Sequence, residues 1–301
     1  SNQVSEKLSI NGGLQVNYRR NHSQADAGTF GNPVRMYSIY QPWLRAYNDD
    51  GTYDFSYFNR YNPIAQVKES YDESTTFGML GNFLAKYQIL PSLSIENQSN
   101  ISFGYNERTE YNKSGVGTSR TDGGRATAST SRYINWVNTA ILRYNKTFGD
   151  FGLKTYLGYE AQEVKEVGTS VQKRNFLPNT YTLDNASILV DGGSNATGNT
   201  LNSVFLNATA DYKSRYYLSA SIRRDGSSRF GASRPYGNFW SLGASWNISK
   251  EAFMEGQEVF SDLRLRSSYG VNGNQDISNF LSRALYGSSS YDNAPGLVFS
   301  N

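Results

Sequence analysis

Cysteine is absent from the 301 residues, which removes disulfides and thiolate-held metal from consideration. Histidine occurs once, as His22, inside the polar stretch NHSQ at 21–24. Any histidine-based dyad or triad would have to be built on that one loop residue. There is no Gly-x-Ser-x-Gly, no phosphate-binding loop and no zinc spacing. Carboxylates are scattered over the strands, and whether any two converge is a matter of tertiary structure that the sequence does not show. The reading is therefore not an enzyme, with no catalytic residue, no metal and no cofactor assigned. A run of ~20 apolar residues is also missing, so no helix crosses a membrane. The net charge of +3 is small, and no basic stripe interleaved with aromatics points to nucleic acid. The opening SNQVSEKLS lacks the charged and apolar regions of a secretory signal. The expectation is that the chain starts in mid-protein.

What is present is alternation. Tyrosine numbers 23, phenylalanine 16 and glycine 28, and the apolar period is two almost everywhere. In LSINGGLQVNYRR at 8–20, Leu8, Ile10, Leu14, Val16 and Tyr18 fall on one side, while Ser9, Asn11, Gln15, Asn17 and Arg19 fall on the other. The pattern recurs at 92–106, 133–146, 203–212, 216–224 and 239–248, and with more noise at 76–89, 151–166 and 263–271. That makes roughly nine or ten strands. Connections alternate in length: LPS at 90–92, FGD at 148–150 and KSR at 213–215 are short, whereas 21–75, 107–131, 167–201 and 225–237 read as long polar loops. The connection at 250–262 is an exception on the short side.

Such strands expose one greasy face to lipid and turn the other to a wet lumen. The fold class expected is all-β: an antiparallel transmembrane β-barrel, partial, with short periplasmic turns and long extracellular loops. Gln15, Asn17, Glu96, Asn100, Arg143 and Arg223 are expected to line the interior. Tyr18, Tyr87, Tyr105, Tyr144, Tyr212, Tyr216 and Tyr269, near strand ends, are expected to form interfacial girdles. Two other classes fit the composition: a self-contained outer-membrane barrel enzyme, and a soluble β-sandwich adhesin with its apolar faces buried between sheets.

Three loop segments invite functional readings. QPWLRAYNDDGTYDFSYFNRYNP at 41–63 is dense in aromatics, and Trp43, Tyr47, Tyr53 and Tyr57 are the ligand-binding candidates. The competing reading is a loop packed on itself. Asp49, Asp50 and Asp54 weakly echo a calcium loop but lack the closing Glu, so a plain turn is expected. In DGSSRFG at 225–231, Asp225-Gly226 reads as a turn and Gly231 as a site for positive φ. Arg223, Arg224, Asp225 and Arg229 form an expected ion-pair network that fixes the hairpin. NGNQ at 272–275 reads as a structural turn.

The segment YYLSASIRRDGSSRFGASRPYGNFWSLGASWNISKEAFM at 216–254 resembles the SusC/RagA family of TonB-linked outer-membrane transporters, followed by DLRLRSSYGVNGNQDISNF at 262–280 and YNKTFGDFGLKTYLGYEAQ at 144–162. The motif residues are Arg223, Asp225, Gly226, Ser227, Arg229, Phe230, Gly231, Gly273, Asn274 and Gln275, with mainly structural roles. Residues 130–285 carry the match, and 1–130 fit more loosely. The resemblance implies a barrel of about 22 strands, of which roughly ten are here, with residues 1–301 all in the barrel domain. It further implies a lumen plug, a TonB-contacting segment and closing strands, none visible in this chain. The implied function is TonB-dependent import of a glycan or peptide across the outer membrane of a Gram-negative bacterium. The implied partners are outer-membrane lipid, TonB and a SusD-like surface lipoprotein.

Overall fold

The computed structural model describes residues 2–23, 32–56, 61–119, 121–231, 235–256, 259–274, 277–281, 283, 285–292 and 294–300. Strands β1 (Asn2–Gln3), β2 (Leu8–Ser23), β3 (Ser70–Leu90), β4 (Leu93–Asn112), β5 (Arg125–Phe148), β6 (Phe151–Phe176), β7 (Ala186–Tyr212), β8 (Tyr216–Ser227), β9 (Tyr236–Asn247) and β10 (Arg264–Val271) pair in sequence order into one ten-stranded antiparallel sheet. A separate hairpin, β11 (Leu285–Tyr291) with β12 (Ala294–Ser300), follows. Sequence alternation had not marked it. Among the described residues, two seven-residue helices, α1 (Pro33–Ile39) and α2 (Pro63–Glu69), lie between β2 and β3. Each starts at an Asn-Pro step. The Asn32 and Asn62 side chains accept from the first free N–H groups, and proline fills a position that needs no donor.

Register decides which side chains share a face, because a one-residue slip inverts a strand. Here Leu8, Tyr87, Ile95, Leu142, Leu157, Leu206, Ile222, Trp240 and Val271 pair laterally in a single row across β2–β10. All are apolar or aromatic. Leu157 is 49% exposed and Ile222 55%, so this face does not meet another in a dry centre. That excludes the sandwich. Asn97, Ser99 and Asn138 interrupt the face and bond one another, Asn97 Nδ2 to Asn138 Oδ1 at 3.2 Å and Asn138 Nδ2 to Ser99 Oγ at 2.7 Å. Mutual pairing lowers the cost of turning amides toward an apolar medium.

Aromatic rows border the apolar face. At the short-turn end, Phe148, Phe151, Tyr212, Tyr216 and Trp246 pair in sequence across five strands. Tyr18, Phe77 and Tyr105 pair toward the other end. Phe77 and Tyr87 lie ten positions apart on β3. At about 3.4 Å per residue and a tilt near 40°, that spacing spans about 26 Å, matching the apolar band of a transmembrane barrel at about 25 Å. All seven tyrosines expected in girdles occupy this face by register.

The turns are tight where expected. Gly149 takes φ +59°, and Lys213 and Ser214 take +53° and +52°, the left-handed pair at the centre of a turn that Arg215 N–H closes by donating to Tyr212 O at 3.0 Å. The long connections are shorter than anticipated: 113–124, 177–185 and 228–235. Strands β3–β7 run 20 to 27 residues, about twice the bilayer requirement. Beyond the membrane both faces are wet, so apolar alternation fades while the backbone ladder continues. Sequences such as DGGSNATGNT at 191–200 therefore looked like loop.

Candidate functional site

The inner wall carries a chain of charge and ring contacts. Arg143 on β5 donates from Nε to Glu96 on β4 at 3.0 Å, and its guanidinium lies 5.5 Å from the ring centre of Tyr156 on β6. Tyr156 meets Phe205 of β7 edge to face at 6.1 Å. Arg223 of β8 covers the Phe205 ring at 5.3 Å, then donates to Glu160 at 2.8 Å, Asp225 at 2.6 Å and Ser203 at 2.9 Å. Gly158 is required beneath Phe205, since a Cβ there would sit 2.1 Å from the ring. Five strands are thus tied on one face. Gln15, Asn17, Glu96, Asn100, Arg143 and Arg223 all share it by register.

The motif hairpin is built differently from its sequence appearance. Asp225 pairs with Arg223 as expected, but Glu160, 63 residues away, is the partner that spacing could not reveal. Arg224 leaves the network for the other face and stacks on Tyr236 at 4.5 Å. Arg229 bonds Asn279 Oδ1 at 2.8 Å. Asp225 and Gly226 are not a turn: both lie within β8, paired with β7 and β9. Gly226 serves close packing, because a Cβ would come within 2.6 Å of Tyr236. The turn begins after Ser227, whose N–H donates to Pro235 O at 3.1 Å and which also accepts from Phe230 N–H at 3.1 Å. Gly231 does not adopt positive φ. Gly273 likewise makes room for a ring, that of Phe239, at 2.1 Å from an ideal Cβ. Asn274 is exposed, and Gln275 lies outside the described residues.

At the far rim, the aromatic loop both packs on itself and leaves a cleft. Tyr47 and Tyr53 pair in an antiparallel bridge with rings stacked at 5.5 Å, and Tyr53 leans on Phe55 at 6.2 Å. The Tyr53 hydroxyl donates to Glu69 at 2.9 Å, and Lys113 donates to the other Glu69 oxygen at 2.7 Å. Burial, then the hydrogen bond to Glu69, pushes the Tyr53 phenol up to about 12. The Lys113 hydrogen bond holds the Glu69 carboxyl below the usual range. Gln66 Nε2 bonds Asn112 Oδ1 at 3.2 Å, seating α2 on the inner side of the rim.

A cleft of about 470 Å³ opens between this loop and 113–124, lined by Asn48, Tyr53, Asp54, Phe55, Gly115 and Thr121 among others. Asp54 is only 8% exposed, and its Oδ1 accepts from the Ser56 N–H at 2.8 Å. Asp49 pairs instead with Arg45 at 2.8 Å, and Asp50 with Thr52 at 2.9 Å. The three carboxylates face different partners, as a turn requires and a calcium loop does not. Trp43 stands 74% exposed and does not line the cleft, and Tyr57 lies outside the described residues. The Glu69–Lys113 pair went unseen in the sequence because its partners lie 44 residues apart, on either side of the β3–β4 hairpin.

No protein-family model matches the chain. TonB-dependent receptor P3 of Formosa agariphila is 31% identical over 277 residues, 88% of this chain and 27% of that protein. TonB-dependent receptor SusC of Bacteroides thetaiotaomicron is 28% identical over 236 residues, 77% of this chain and 23% of that protein. The chain is a SusC/RagA-like TonB-dependent receptor sequence. It spans about a quarter of the length of these curated relatives. Its fold matches that of the RagAB peptide transporter structure with a TM-score of 0.83 and 19% identity, over 99% of this chain and 35% of that one. In this SusC/RagA-like receptor, the two-faced sheet is thus a stretch of TonB-dependent-receptor barrel.

Proposed function

We propose that residues 1–301 contribute barrel wall to an outer-membrane importer of a Gram-negative bacterium. It admits a bulky nutrient, an oligosaccharide or a peptide, under the control of TonB, with a SusD-like lipoprotein at its outer mouth. The observation that carries the reading is the single row of nine apolar or aromatic residues backed, one position along, by a wall bearing Lys86, Glu96 and Arg223. Hydrocarbon accepts the first and a wet passage the second. The task is passage and gating, with no bond made or broken by these residues. The rim cleft, with aromatic Tyr53 and Phe55 beside the Asp54 carboxylate, suits contact with ligand on entry, and exposed Trp43 adds a stacking face.

The test is uptake. Cells lacking the full-length receptor should lose import of one labelled oligosaccharide or peptide pool, and a protonophore should abolish import in cells that have it. Recovery of the full-length protein as a monodisperse species without detergent would refute the membrane reading. Uptake indifferent to both the deletion and the protonophore would refute the transport reading.

A further inference from the structure

Strand β7 outruns its neighbour. β8 pairs with it only over 201–212, while β6 accompanies it from Ala186 onward. Among the described residues, 192–200 therefore has a strand on one side only. The point of departure is specific: Ser228 N–H donates to Thr200 O at 3.0 Å, and Thr200 N–H donates to Ser228 Oγ at 2.9 Å. These bonds show that Thr200 directs both backbone groups away from β6. Orientation alternates along an antiparallel strand. The β6 register is unbroken over 191–200, so Gly198, Ala196, Ser194 and Gly192 point their N–H and C=O groups the same way.

Exposed edges are normally blunted by charge, proline, a bulge or a cover. GGSNATGNT at 192–200 carries no charge and no proline, and the register shift lies earlier, beside Val190. Residues 192–196 are exposed, and the four outward positions bear only hydrogen, methyl or hydroxymethyl side chains. The ribbon is also held in place: Asn279 Nδ2 donates to Thr197 Oγ1 at 2.7 Å, and Arg229 Nε donates to Asn279 Oδ1 at 2.8 Å. An edge ordered beforehand loses less freedom on binding.

We propose that this edge is a strand-addition site that takes an extended peptide on the extracellular side. The chemistry selects the class. The edge offers a donor and acceptor every second residue, about 6.8 Å apart, and only another polypeptide backbone repeats the complement at that interval. A sugar chain does not. Small flanking side chains make the capture tolerant of peptide sequence. The assignment rests on the importer reading for its purpose, and names peptide as a cargo class.

The experiment uses the full-length receptor in detergent with a synthetic nine-residue Thr/Val peptide and its fully N-methylated counterpart. The parent peptide should slow amide exchange at Gly192, Ser194, Ala196 and Gly198 at least about tenfold, and the N-methylated one should not. Ala196→Pro deletes one outward donor while sparing the β6 ladder, and should weaken binding about tenfold. Equal binding of the two peptides to the unmodified receptor, or protection elsewhere on the chain, would overturn the proposal whatever the variant does. Edge protection without protonophore-sensitive peptide uptake would support strand addition and count against import. Uptake that Ala196→Pro leaves unchanged, with no edge protection, would do the reverse.

Discussion

Ile222 and Ser221 are adjacent on β8 and face opposite media, so a charge placed at each should have different consequences. Ile222 is 55% exposed on the apolar face, while Ser221 bonds Ser241 Oγ at 2.6 Å on the polar face. Ile222 stands six positions from Tyr216, at the aromatic row of the short-turn end. Six residues at about 3.4 Å, tilted near 40°, place it about 16 Å above that row, close to the midplane of a band about 25 Å tall. Arginine at such a depth costs about 2–4 kcal/mol. Ile222→Arg should therefore shift the folding equilibrium about 30- to 900-fold toward the unfolded state. Ser221→Arg loses one hydroxyl hydrogen bond, about 1 kcal/mol, and keeps its charge in a wet lumen. Both variants of the full-length receptor can be unfolded in urea from lipid vesicles and followed by tryptophan fluorescence. Equal losses, or a greater loss for Ser221→Arg, would refute the assignment of faces.

Other outcomes follow from the wall and the rim. Arg223→Met strands the carboxylates of Glu160 and Asp225 and should lower stability by about 1–3 kcal/mol, while Arg223→Lys, a point charge without the fork, should recover only part; a urea midpoint reads both. Replacing Lys213-Ser214 by Asn-Gly puts residues that tolerate the left-handed region at both positions and should raise stability by about 1 kcal/mol, read as a higher urea midpoint with an unchanged m-value. The folded-state pKa of Glu69 is lowered, so its pairing with Lys113 stabilises the rim above the ordinary carboxylate value of 4.5 and is lost as pH falls through the folded value. Proteolytic nicking of the 41–56 loop should increase on that acid side and be insensitive to pH in Glu69→Gln. The Tyr53 phenol is raised from 10.0 to about 12, so its contribution is complete below pH 10 and disappears as pH climbs through 12. Tyr53→Phe should delete one late-titrating tyrosinate from the absorbance at 295 nm.

Period-two alternation is a local property: each residue's neighbours along the chain decide which medium its side chain suits. For that reason the strands, the two faces, the face on which the seven tyrosines stand and the tight turns at Gly149 and Lys213-Ser214 were legible without coordinates. So was the membrane class, since a sheet greasy on one side and charged on the other has few places to be stable. Tertiary structure decided what depends on register and on distant chain. It brought Glu160 to Arg223 and set Phe205 over Gly158. It turned Gly226 from a turn residue into a seat for Tyr236, and carried β7 beyond β8 to leave 192–200, among the described residues, with a strand on one side only. Those features rest on backbone pairing between segments dozens of residues apart, and above the bilayer that pairing proceeds with no hydrophobic pattern to announce it.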